Sequence, residues 1–124
     1  MTQRILIIDD DERIRKLFRK ILEAESYEVI EASDGNKGIK LYRKDPTDLV
    51  ITDIIMPEKE GIETIIELKK DFPDVKIIAV SGGGLVEANS YLEMAKKMGA
   101  TEVLTKPIKN EELLEIISEI LEKN

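Results

Sequence analysis

The stretch LVITDIIMP, residues 49–57, is an apolar, β-branched run interrupted by a single carboxylate, Asp53. Leu49, Val50, Ile51, Ile54 and Ile55 suit an interior strand, whereas an ionised aspartate is seldom buried unless it is paired, hydrogen-bonded or bound to a metal. Asp53 therefore predicts a buried strand and, at its carboxyl end, a group elsewhere in the chain that balances the charge.

Four further segments share this β-branched character: RILIID (4–9), EVIEA (28–32), VKIIAVS (75–81) and TEVLTK (101–106). Helical spacing separates them. In ERIRKLFRKILEAE (12–25), Ile14, Leu17, Phe18, Ile21 and Leu22 recur at the intervals of a one-sided helix, and Leu113, Ile116, Ile117, Ile120 and Leu121 do the same near the end of the chain. GNKGIKLYRK (35–44), EGIETIIELKKDF (60–72) and LVEANSYLEMAKKM (85–98) complete a set of five, with Gly99 placed to end the last of these three. Strict strand–helix alternation implies a doubly wound α/β sandwich, a parallel sheet with helices on both faces. DPTD and DFPD are short connections, and neither repeats nor low-complexity segments divide the chain, so residues 1–124 form one domain.

Composition narrows the chemistry. The chain has no cysteine and no histidine, which removes disulfides, thiol nucleophiles, the usual zinc ligands and Ser-His-Asp mechanisms. Any reaction runs on carboxylates, lysines, hydroxyls and backbone groups. A formal net charge of -7 argues against direct nucleic-acid binding. No apolar run has the length of a membrane span and the start MTQRILIIDD lacks a signal peptide's apolar stretch, so a cytoplasmic location is expected.

In an open α/β sheet, ligands bind beyond the carboxyl ends of the strands, near the point where strand order reverses. Asp9, Asp10 and Asp11 follow the first strand and Asp53 ends the third; Ser81 and Gly82–Gly84 end the fourth, and Lys106 and Pro107 the fifth. Alone, an acidic run is a loop or helix cap, a serine a turn residue and a lysine a surface charge. Together on one edge they form a site. Oxygen ligands without His or Cys suit Mg²⁺, which together with Lys106 would balance Asp53. The same cluster suits phosphoryl transfer to a carboxylate, with the metal, Lys106 and the Ser81 hydroxyl stabilising oxygen charge.

With DD at 9 and 10, TDIIMPEKEG at 52–61, Ser81 after the fourth strand and KP at 106 and 107, the whole chain resembles the receiver domain of bacterial response regulators, the phosphoacceptor module of two-component signalling. The resemblance implies a flavodoxin-like (βα)5 fold of strand order 2-1-3-4-5. It makes Asp53 the phosphoacceptor and places Mg²⁺ on Asp10, Asp53 and the backbone carbonyl of Ile55, with Asp9 holding a metal-bound water. Ser81 and Lys106 would contact the phosphoryl group. It also implies a sensor histidine kinase or histidine phosphotransfer protein as donor, an unidentified downstream protein as output partner, and a monomer or weak phosphorylation-dependent dimer. Such a domain catalyses its own phosphorylation and dephosphorylation. Partly from the resemblance, and partly because Lys106 must point back over the sheet edge while the chain turns away, the Lys106–Pro107 bond is expected to be cis.

The sequence departs from the family at Val103, where an aromatic residue is common, and in a longer loop after Ser81. Haloacid-dehalogenase-like phosphatases also use an Asp nucleophile and Mg²⁺, but their second Asp falls where this chain has Ile55. A phosphorylation-independent interaction domain is the other alternative. The basic residues Arg13, Arg15, Lys16, Arg19 and Lys20 of the first helix are either a solvated face or a docking surface for the kinase.

Overall fold

The computed structural model describes residues 2–54, 61–81 and 93–122. Strand β1 (Arg4–Ile8) leads through α1 (Glu12–Glu23) to β2 (Glu28–Ala32), and α2 (Gly35–Lys44) leads to β3 (Leu49–Asp53). Then come α3 (Gly61–Asp71), β4 (Ile77–Ser81), a helical segment at 93–97 (α4), β5 (Glu102–Thr105) and α5 (Asn110–Glu122). All pairings are parallel and the order is β2-β1-β3-β4-β5, as expected, so strand order reverses between β1 and β3.

Alternation along each strand divides the core in two. Ile5 and Ile7 of β1, Leu49 and Ile51 of β3, and Ile78 and Val80 of β4 pack with Phe18 and Leu22 of α1 and with Leu113, Ile117 and Leu121 of α5. Leu6, Ile8, Val50, Ile77 and Ala79 face the other way, onto residues of α2, α3 and α4. Burial on both faces explains why β1, β3 and β4 lack the polar alternation of a half-exposed strand.

Local chemistry sets the helix starts. Asp11 accepts a hydrogen bond from the Arg13 N–H at 2.9 Å, and Asp34 accepts one from the Lys37 N–H at 2.8 Å, so each caps the helix that follows it. Gly99 closes α4 at φ 120°, a conformation that favours glycine, as its place in the sequence predicts. Helix α1 stops at Glu23, short of the expected Glu25. Among the described residues no helix is long and apolar enough to cross a membrane.

Candidate functional site

The alternation that sorts the core also aims the charges. Asp53 continues the Leu49–Ile51 parity of β3, and Asp9 continues the Ile5–Ile7 parity just beyond β1, so both project on the side of α1 and α5 at the carboxyl edge. Lys106, one residue past β5, shares the parity of Leu104. Its Nζ lies 3.4 Å from Asp9 Oδ2 and 3.5 Å from Asp53 Oδ2. The counter-charge implied by the interrupted apolar run is thus Lys106. Asp9, Asp10 and Asp53 each present an oxygen within 4.8 Å of the others'.

The three carboxylates sit in different surroundings. Asp9 is 3% exposed and Asp10 is exposed, with Asp53 between them. Burial pushes the Asp9 carboxyl above the usual range and the neighbouring Asp53 charge adds to this, although the Asp11 N–H at 2.9 Å from Oδ1 and the Lys106 ammonium act in the opposite sense. The Asp9 N–H donates to Ala32 O at 3.2 Å and its carbonyl accepts from Arg15 Nη1 at 2.8 Å.

Ser81 ends β4 fully buried, and its carbonyl accepts from the Lys106 N–H at 2.8 Å, which ties the lysine backbone to the strand end. The Lys106–Pro107 bond is cis, as expected. The sites expected at Ile55 and at Gly82–Gly84 lie outside the described residues. Of the side chains expected at the site, Asp9, Asp10, Asp53 and Lys106 converge, and Ser81 stands at the same edge.

Sequence reasoning missed three contributors. Gly61 approaches β3 so closely that a Cβ there would stand 2.1 Å from Asp53 O and 2.6 Å from Ile54 Cα, while its N–H donates to Ile54 O at 2.6 Å. Thr52, fully buried, donates its hydroxyl to Asp53 O at 3.0 Å. Arg15, which sequence assigned to a basic helix face, folds back onto Asp9 and pairs with Glu31 at 3.1 Å. Glu31, an acid in the interior of the EVIEA strand, was the available signal for that last contact.

Comparison with known proteins agrees with this arrangement. The family model described as "Response regulator receiver domain" matches residues 5–118. A chemotaxis protein CheY of Halobacterium salinarum is 35% identical over 121 residues, which cover 98% of this chain and 98% of that protein. The transcriptional regulatory protein CpxR of Escherichia coli is 33% identical over 121 residues, covering 98% of this chain but 50% of CpxR. A solved CheY-like response regulator receiver domain protein from Methanospirillum hungatei superposes with a TM-score of 0.90 at 33% identity, over 99% of this chain and 96% of that one.

Proposed function

The chain belongs to the family of response regulator receiver domains, and on that premise we propose that Asp53 accepts a phosphoryl group from a phosphohistidine and so switches the domain's affinity for a protein partner. The observation that carries this reading is the placement of Lys106 Nζ between Asp53 and Asp9, beside a third convergent carboxylate.

The donor set fits Mg²⁺: every ligand is a hard oxygen, and three carboxylates crowded within 4.8 Å favour a divalent cation among them. Asp10 and Asp53 would hold it directly with the Ile55 carbonyl, and Asp9 through a water. Once bound, the ion supplies neutralisation of the carboxylates and of the phosphoryl oxygens. An Asp53 carboxylate oxygen forms the O–P bond as the N–P bond to the donor imidazole breaks, and the electron pair leaves on that nitrogen. Lys106 pairs with the Asp53 carboxylate and, after transfer, with a phosphoryl oxygen. Ser81 starts buried, so its contact with the phosphoryl group accompanies a rearrangement of the β4 end.

The donor is a sensor histidine kinase or a histidine phosphotransfer protein, and the output is a downstream protein rather than nucleic acid. A groove between α1 and α5, lined by Ile14, Leu17, Phe18, Ile108 and Leu113, opens beside Lys106, and Leu17 there is 55% exposed. Apolar surface next to the acceptor suits docking of a donor helix. The test is mass spectrometry after incubation with acetyl phosphate and Mg²⁺. One phosphoryl group is expected on the parent protein and none on Asp53→Asn, and labelling of that variant would overturn the assignment.

A further inference from the structure

Asp9 and Asp10 lie on a short loop between β1 and α1, yet a metal site needs its ligands held. The loop is fixed at its β1 end by the Asp9 N–H on Ala32 O. A further restraint comes from α1. Arg15 Nη1 donates to the Asp9 carbonyl at 2.8 Å while Arg15 Nε donates to Glu31 Oε1 at 3.1 Å, and the Arg15 side chain is 15% exposed. Glu31 pairs in register with Ile7 on β1 and also accepts Arg19 Nε at 2.6 Å, which fixes the carboxylate from a second side.

We propose that Arg15 is a positioning residue for the metal site, clamping the acidic loop to β2 so that Asp9 and Asp10 are held for a divalent cation. The planar fork of arginine suits the task, because one side chain reaches a carbonyl and a carboxylate from fixed donor positions; a lysine presents a single head. A cationic group so near a cation site is unfavourable by itself, and Glu31 offsets that charge. Arg19 shares Glu31, but its other contact is Glu23 and not the loop. It therefore separates support of the loop from support of the fold.

This inference rests on the Mg²⁺ reading above, and the experiment distinguishes the two. Backbone amide shifts of the full chain are followed during Mg²⁺ titration of the parent, Arg15→Ala, Arg15→Lys and Arg19→Ala, alongside thermal unfolding of each without Mg²⁺. Loss of a contact that orients a metal ligand commonly weakens binding by ten- to a hundredfold, and here the Mg²⁺ Kd is expected to rise about tenfold in Arg15→Ala. Arg15→Lys should stay weak. Arg19→Ala should lose thermal stability but keep the parent's Kd. A parent-like Kd in Arg15→Ala, or an equal loss in Arg19→Ala, would overturn the proposal. If Arg15→Ala does not fold, Arg15→Lys carries the same comparison. Absence of a saturable shift in the parent would overturn the metal reading beneath it.

Discussion

Asp9 has every polar group engaged: its N–H on Ala32, its carbonyl on Arg15, Oδ1 on the Asp11 N–H and Oδ2 on Lys106. Even so, burial raises its pKa, so the folded protein tolerates the charge at a cost to stability. The sign is that of a raised group: the stability it contributes is full below the unfolded aspartate value of about 3.9 and is lost as pH rises through the higher folded value. Asp9→Asn should therefore raise the thermal midpoint at pH 7 without Mg²⁺, with the gain shrinking toward pH 3. An effect independent of pH in thermal melts would count against it. Gly61 acts through space rather than charge. In Gly61→Ala the new methyl meets the backbone of Asp53 and Ile54, which cannot swing aside as a side-chain tip would. A loss of about 1–3 kcal/mol in urea unfolding is expected, the range for forced overpacking, together with slower acceptance of phosphoryl from acetyl phosphate because the displaced strand end carries Asp53. Parent-like stability would show that β3 yields at no cost. Gly61 could not be singled out in the sequence, since its demand is created by a strand end eight positions earlier.

Element boundaries illustrate what pattern does and does not encode. Apolar spacing placed α1 correctly because Phe18 and Leu22 must reach the sheet, but it ran the helix to Glu25 for want of a terminating glycine. The terminator is Ser26, at φ 68°, with Tyr27 N–H donating to Leu22 O at 3.1 Å and Ser26 N–H to Glu23 O at 3.0 Å. These two bonds form a Schellman turn built on a non-glycine residue, so nothing in the local composition announced it. Serine in the left-handed region carries a steric penalty that glycine avoids, partly offset by glycine's greater freedom in the unfolded chain. Ser26→Gly is expected to stabilise the protein by about 0.5–1 kcal/mol in urea unfolding, without altering phosphorylation, since the turn lies at the end of α1 away from Asp11. A destabilised variant would mean that the serine side chain does more there than accept strain. The strands were more legible than the turns, because burial on both faces leaves a continuous apolar signal while a turn depends on one dihedral angle.

At the scale of the molecule, the site exists only once the sheet is closed. Asp9 and Lys106 are separated by 97 positions in sequence and Asp53 lies between them, yet parallel pairing brings their strand ends to one edge. The residue types and their order after each strand were readable, because Asp9, Asp53, Ser81 and Lys106 each stand at the carboxyl end of a short β-branched run. Contacts that cross between elements, such as Arg15 with Asp9 and Glu31, were not, because a basic residue on a helix reads alike whether it points to solvent or folds back. The same long-range assembly would couple the proposed metal binding to folding. Dispersed carboxylates in the unfolded chain bind Mg²⁺ weakly, so on the proposed metal reading the ion would stabilise the native state by RT ln(1 + [Mg²⁺]/Kd). Beyond Kd, each tenfold rise in Mg²⁺ should add about 1.4 kcal/mol, or about 4–7 °C in thermal midpoint for a domain of this size. NaCl of matched ionic strength should reproduce little of the shift, because screening relieves exposed charges far more than buried ones such as Asp9. Asp10→Asn should lose most of the shift while keeping the fold, as its exposed side chain supports no core contact. Differential scanning fluorimetry across Mg²⁺ concentrations makes the comparison, and an equal rise in the parent and in Asp10→Asn would show that the stabilisation does not come from these three carboxylates.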